Sequence, residues 1–145
     1  MIQMKQIPFS TAGARVLVVD DDPFARMAVI KKVQHLKATA LEAEDGQQAF
    51  AILRREAVDL AIIDLEMPVM NGLELLGCIR GAPQLKHLPV LVLTGAEDRT
   101  SLERALQCGA TSLMIKPLNW AAFSAHIEHI LYLSMAGRAL RAQSA

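Results

Sequence analysis

Apolar positions fall into four short runs, at residues 16–19, 60–63, 90–93 and 113–115, with a weaker one at 39–43. Each is too short for a helix and rich in Val, Ile and Leu. Continuous apolar runs of this kind predict strands covered on both faces, as in a parallel sheet. The stretches between them carry helical spacing with recognisable ends. Asp22-Pro23 supplies an N-cap and a first-turn proline ahead of Val29, Val33 and Leu36. Asp45-Gly46 precedes Ala49, Ile52 and Leu53, and Asn71 with Glu74 forms a capping-box pattern before Leu75, Leu76 and Ile79. Leu102, Ala105 and Leu106 lead to Gly109, placed as a C-terminal glycine cap. A last stripe joins Phe123, Ile127, Ile130, Leu131 and Ser134. Five strand–helix units with right-handed crossovers predict a doubly wound α/β sandwich with helices on both faces.

Composition refines this picture modestly. The 145 residues suffice for one substantial core and not for two. With 52% hydrophobic and only 4% aromatic residues, that core is expected to be aliphatic. Fifteen basic residues balance fifteen acidic ones, so no electrostatic feature calls for a nucleic-acid or anionic-membrane partner. Cys78 and Cys108 lie in apolar, helix-like surroundings and are expected to be small buried hydrophobes in a reducing compartment. Residues 1–14 form a short mixed leader, expected to be an irregular arm without the apolar core of a signal peptide. No stretch approaches the length of a membrane span, and a cytoplasmic protein is expected.

The chemistry gathers at the strand ends. The first strand ends in Asp20-Asp21-Asp22 and the third in Asp64, and in an open parallel sheet such ends share one edge. Carboxylates packed together repel unless a cation neutralises them. Mg²⁺ suits that need, since it takes oxygen ligands from one or two carboxylates and keeps waters for a phosphate to replace. The fourth strand ends in Thr94-Gly95, a hydroxyl beside unobstructed backbone; the fifth ends in Lys116-Pro117, a cation before a rigid turn. Acids, a hydroxyl and a lysine form a phosphoryl-binding set, with Asp64 the candidate nucleophile.

These segments carry a resemblance. Val-Leu-Val-Val-Asp-Asp-Asp-Pro (16–23), Asp-Leu-Glu-Met-Pro-Val-Met-Asn-Gly (64–72), Val-Leu-Thr-Gly (92–95) and Ile-Lys-Pro (115–117) resemble the motifs of a response-regulator receiver domain of a two-component phosphorelay. They stand in the family's order and spacing over residues 15–133. The resemblance implies a flavodoxin-like sheet of strand order 2-1-3-4-5 with five helices. It implies that Asp64 accepts a phosphoryl group from a histidine kinase or phosphotransfer protein, and that the domain then switches conformation to control a partner or output domain. Metal binding would fall to Asp20, Asp21, Asp64 and the backbone carbonyl of Leu65 or Glu66, with the family's spacing favouring Glu66; the first-strand acids are either Asp20 and Asp21, with Asp22 purely the helix cap, or shifted by one residue within the run. Lys116 would pair with the phosphoryl oxygens, Thr94 would hydrogen-bond them after modification, and Gly95 would leave room for entry. Autodephosphorylation is expected, with Glu66 and Ala96 bordering the attacking water and tuning its rate.

One departure stands out. The family often carries an aromatic residue three positions before the lysine of the fifth strand, and here that residue is Leu113. A readout through an aromatic rotamer is therefore in doubt, and a shift of the fourth strand and the helix after it is the remaining route. Four scattered histidines, His35, His87, His126 and His129, are expected on the surface rather than at a metal site. Met67 and Met70 are expected to be packing residues, and Trp120 to anchor the start of the last helix by burial.

Residues 134–145 read as a C-terminal helical extension or linker in which Gly137 is the weak point. The family resemblance adds a homodimer through helix four, strand five and helix five, and an output domain that is fused or separate. The stretch Lys-Pro-Leu-Asn-Trp (116–120) looks similar to receivers joined to cyclic-dinucleotide enzymes or kinases. Two rival readings remain. A Mg²⁺-dependent phosphatase with Asp64 as nucleophile would want a second aspartate two residues on, where Glu66 stands. A receiver-like binding module that is never phosphorylated would not need the full acid–Thr–Lys set.

Overall fold

Strands form where the apolar runs lie: β1 (Arg15–Val19), β2 (Thr39–Ala43), β3 (Leu60–Asp64), β4 (Val90–Thr94) and β5 (Ser112–Ile115). Helices alternate with them: α1 (Pro23–His35), α2 (Gly46–Arg55), α3 (Gly72–Gly81), α4 (Arg99–Gln107) and α5 (Trp120–Ser144). This computed structural model describes residues 11–95 and 99–144. All pairings are parallel, in the order β2-β1-β3-β4-β5. The doubly wound, flavodoxin-like fold and its five helices are as expected.

Because side chains alternate across a strand, each central strand feeds two cores. Leu17, Val19, Ala61, Ile63, Val90 and Val92 point into the core shared with α2, α3 and α4. Val16, Val18, Leu60, Ile62, Leu91 and Leu93 point into the core shared with α1 and α5. Apart from Arg15, Asp64 and Thr94 at their ends, β1, β3 and β4 are apolar because neither face meets water. The outer strands differ. In β2 and β5 most positions are half-buried or exposed, and Ile115 is 47% exposed. Full coverage thus holds for the three central strands, not for all five runs.

Local capping places the helices as the residues dictate. The Asp22 carboxylate accepts the Phe24 N–H at 2.9 Å, and the Asp45 carboxylate accepts the Gln48 N–H at 2.8 Å. Asn71 and Glu74 form a complete capping box, at 2.9 and 3.2 Å. Gly109, at φ +112°, follows α4 in the left-handed region that favours glycine. On α1, Val29 and Val33 are buried together with Ile30, and Leu36, the C-cap, packs half-buried against the same core.

One expectation needs correction. Cys108 is exposed in the turn that follows α4, and Cys78, on α3, is only half-buried. The last helix continues through Gly137 to Ser144 as one 25-residue element. Its stripe Phe123, Ile127, Ile130 and Leu131 is buried, with Ser134 half-buried below it. Trp120 is half-buried, edge-on to Phe123 with centroids 5.4 Å apart, and the Lys32 ammonium lies 5.6 Å over its ring. Met67 is buried and Met70 half-buried. Of the leader, residues 1–10 lie outside the described residues; the arm's described part, from Thr11, turns into β1.

Candidate functional site

Among the described residues only three polar or charged side chains are buried: Asp20 at 3% exposure, Asp64 at 8% and Thr94 at 0%. They stand at or just past the carboxyl ends of β1, β3 and β4, which are neighbours in the sheet. Burying a carboxylate is costly unless it is paired or hydrogen-bonded. Two buried acids and a buried hydroxyl at one sheet edge are therefore the molecule's most expensive polar groups.

Each is held by the local chain. The Asp20 N–H donates to the Ala43 carbonyl at 3.2 Å, which carries the chain one residue past β1 in register. Its side chain accepts the Asp22 N–H at 2.9 Å, and Arg26 Nη1 donates to its carbonyl oxygen at 2.7 Å. Arg26 is itself fixed by Glu42, 2.9 Å away. Asp22 is occupied as the α1 cap, whereas oxygens of Asp20, Asp21 and Asp64 lie within 4.8 Å of one another. Geometry thus gathers the first two acids of the run with Asp64.

Lys116 completes the cluster. Its Nζ lies 3.6 Å from Asp20 Oδ2 and 3.6 Å from Asp64 Oδ2, so one ammonium serves two carboxylates. It is set there by its own N–H, which donates to the Thr94 carbonyl at 2.8 Å, and is followed by a cis Lys116–Pro117 peptide bond. The loop after β3 is equally constrained. The Leu65 N–H donates to Leu93 and the Gly72 N–H to Leu65, both at 3.0 Å. A Cβ on Gly72 would come within 2.8 Å of the Asp64 carbonyl oxygen and of Leu65 Cα. Only glycine lets α3 start so close to the site. Gly46 plays the same part from α2, where a Cβ would meet the Met70 carbonyl at 2.6 Å. Between these anchors Val69 adopts φ +66° while 74% exposed, a strained conformation for a β-branched residue.

Electrostatics single out Asp64. Burial pushes its carboxyl up from 3.8 to about 6; Lys116 opposes the rise, Asp20 adds to it, the Glu66 N–H opposes it and Asp21 adds a little. That N–H donates to Asp64 Oδ1 at 3.3 Å. One lysine does not neutralise three carboxylates, so the donor set has room for a further cation. An oxygen-rich, hard, incompletely neutralised set of this kind fits a divalent ion.

Glu66 contributes only its backbone here. Its side chain is exposed and stands outside the three converging carboxylates. Gly95 is exposed, and a Cβ there would meet none of the described residues within 4 Å. Ala96 lies outside the described residues. Leu113 is half-buried against the core beneath α2, α3 and α4. The histidines do not gather: His35, His87 and His129 are exposed, and His126 Nε2 lies 2.6 Å from the Ser112 hydroxyl. Sequence reasoning missed Arg26 and Gly46. Arg26 looks like any polar helix residue until the chain folds beneath it, and Gly46 reads as a turn residue until Met70 is seen against it.

Fold and pocket together define a class: a doubly wound parallel α/β domain with a lysine-bridged acidic pocket at its carboxyl edge. The chain belongs to the response regulator receiver domain family, whose model matches residues 16–128. It is 33% identical over 117 residues to the chemotaxis protein CheY of Pseudomonas aeruginosa, covering 80% of this chain and 94% of that one. It is also 35% identical over 106 residues to the regulator of RpoS of Escherichia coli, covering 73% of this chain and 31% of that protein. Among solved structures, chemotaxis protein CheY4 of Vibrio cholerae aligns with a TM-score of 0.77 at 31% identity, covering 82% of this chain and 99% of that one. The receiver domain of a signal transduction histidine kinase from Syntrophus aciditrophicus aligns with a TM-score of 0.78 at 28% identity, covering 83% and 91%. Receivers of this family are signalling phosphoacceptor domains rather than dedicated enzymes, which disfavours the phosphatase reading. No helix among the described residues is long and apolar enough to cross a membrane.

Proposed function

We propose that Asp64 is the phosphoacceptor of this receiver, taking its phosphoryl group from the phosphohistidine of a histidine kinase or phosphotransfer protein. The observation that carries this is the Asp64 carboxylate itself. It is buried at the end of β3, raised to about 6, and bridged to Asp20 by a single ammonium at 3.6 Å. A carboxylate oxygen of Asp64 attacks phosphorus, the N–P bond of the donor breaks, and the freed imidazole keeps that electron pair and takes a proton from water. Phosphoryl transfer asks mainly for positioning and charge neutralisation. Lys116 supplies a positive charge that follows from Asp64 to the new phosphoryl oxygens. Thr94, at the end of the adjacent strand, offers them its hydroxyl.

Asp20, Asp21 and Asp64, with the carbonyl of Glu66, would hold Mg²⁺, which when bound neutralises the incoming charge. Hydrolysis of the aspartyl phosphate would return the site to rest, and Glu66→Ala is expected to change its rate because the exposed side chain borders the entry path. The apolar groups Leu106 on α4, Ile115 on β5 and Leu133 on α5 are all about half exposed, at 51%, 47% and 54%, and support a homodimer through that face. Equal light-scattering masses for one chain with and without a phosphoryl mimic would remove the dimer proposal.

Incubation with acetyl phosphate and Mg²⁺, followed by intact-mass measurement, tests the acceptor. One phosphoryl adduct is expected on the wild type and none on Asp64→Asn. An adduct that survives the substitution, or never forms, overturns the proposal; steady turnover of a small phosphate ester would revive the phosphatase.

A further inference from the structure

The helix α5 does not stop where the core ends. Its last turns run past the amino ends of the strands, at the pole opposite Asp64, and are pinned there. Arg138 Nη2 lies 2.7 Å from Asp59 Oδ1 in the loop before β3. Between this part of α5, that loop and the segment joining α3 to β4 lies a cavity of about 420 Å³, which reaches Leu53 of α2 and Leu85 and Leu88 of the joining segment. A second cavity of about 230 Å³ adjoins it, and the two share His87, Pro89, Ser134 and Arg141. Together they have the size and mixed lining of a small-molecule site.

The charges lining this concavity balance in number but are not all paired with one another. Both acids on its wall are already paired: Asp59 with Arg138, and Glu56 with Arg15 at 3.1 Å. Of the lining cations, Arg138 is spent on Asp59 and Arg141 has no carboxylate partner among the described residues, while Arg80 and Lys86 lie near His87 without lining the cavities. Arg80, half-buried, spends its donors on the carbonyls of Gly109, Leu85 and Lys86, none of which carries a charge. Neither Lys86 nor Arg141 has a carboxylate partner among the described residues. His87, fully exposed between them, shows the result: Arg141 first, then slight burial, Lys86 and Arg80 hold its imidazole below the usual range. Arg141 from α5 and His87 from the joining segment line both cavities, so a ligand there would meet both.

We infer that this pole is a binding site for a small anion-bearing ligand. Its phosphate or carboxylate would sit between Arg141 and His87, and its apolar part would lie against Leu85, Leu88 and Pro89. The inference is independent of the phosphoacceptor assignment, because none of these residues belongs to the Asp64 pocket. Thr111 and Ser134, on the walls of the smaller cavity, offer hydroxyl groups to the same anion.

His87 is its own reporter. Its ring-proton resonance is followed through a pH titration in sodium phosphate and, separately, in sodium acetate, with ionic strength held constant by sodium chloride. Binding predicts a saturable rise of the His87 midpoint in the low-millimolar range for at least one of the two anions, with His35 unmoved. Arg141→Gln is expected to raise the midpoint without anion, by removing the nearest repulsion, and to weaken the anion-dependent rise at least tenfold. Arg141→Lys, which keeps the charge, should restore most of it. A phosphate response with none from acetate would assign the site to phosphate esters, and the reverse to carboxylates. A response that is non-saturating, or equal in wild type and Arg141→Gln, overturns the site.

Discussion

The two poles of the sheet solve opposite electrostatic problems. At the carboxyl edge, three acids converge around one lysine, and two of the acids are buried. At the amino edge, cations gather around exposed His87 while the nearby acids are consumed in pairs. Burial makes the difference. Asp64, shielded from water, is driven up to about 6, whereas Lys86 and Arg141 at the far pole remain wet and screened. The first pole can therefore hold a reactive carboxylate and the second only attract a ligand. Excess charge left in a fold marks a site, and its burial tells chemistry from binding.

The sharpest way to break this contrast is to remove the lysine. Lys116→Ala leaves Asp20 and Asp64 facing each other without a bridge. Acetyl-phosphate-dependent labelling of Asp64 should fall by about 10²–10³-fold, the usual cost of losing a group that stabilises transferring charge. Labelling within a few-fold of wild type would show that the ammonium is structural only. The next effect is on stability. Gly72→Ala forces a Cβ to 2.8 Å from backbone beneath Asp64, and such overpacking should cost about 1–3 kcal/mol, read as a lower denaturation midpoint.

A third measurement uses pH without metal. Asp64 titrates near 3.8 when unfolded and about 6 when folded, so between these values the folded chain binds the extra proton. Its protonated form therefore contributes stability fully present below about 3.8 and lost as pH rises through about 6. Asp64→Asn should flatten that decline, and Mg²⁺ binding, followed through Trp120 fluorescence, should strengthen over the same window as the proton leaves. The smallest effect belongs to the far pole. Arg138→Ala removes an ion pair whose arginine is 57% exposed, and should cost no more than about 1 kcal/mol. Its consequence should be faster amide exchange in the last turns of α5, with labelling of Asp64 unchanged.

Much of the carboxyl pole was legible because short-range rules write it. Asp20, Asp64, Thr94 and Lys116 each end an apolar run, and parallel strands must bring such ends together. Caps at Asp22, Asp45 and Asn71 were equally local. What escaped depends on contacts distant in sequence. Arg26 under Asp20, and Met70 against Gly46, are visible only once helices pack. Cys108 was misplaced because its apolar neighbours do not reveal that it stands in the exposed turn just past α4. The amino pole was invisible for the same reason. His87 and Arg141 lie far apart in the chain, and nothing in either segment says that α5 will run down to meet the loop before β4.

The claim at the centre of this account is that Asp64 alone carries the phosphoryl group. Borohydride reduces an aspartyl phosphate to homoserine, so the labelled protein can be trapped, digested and read residue by residue. Homoserine at position 64, absent without phosphodonor and absent in Asp64→Asn, is the predicted result. Homoserine at position 20 or 21, or none under conditions that give a phosphoryl adduct in the intact protein, would contradict it.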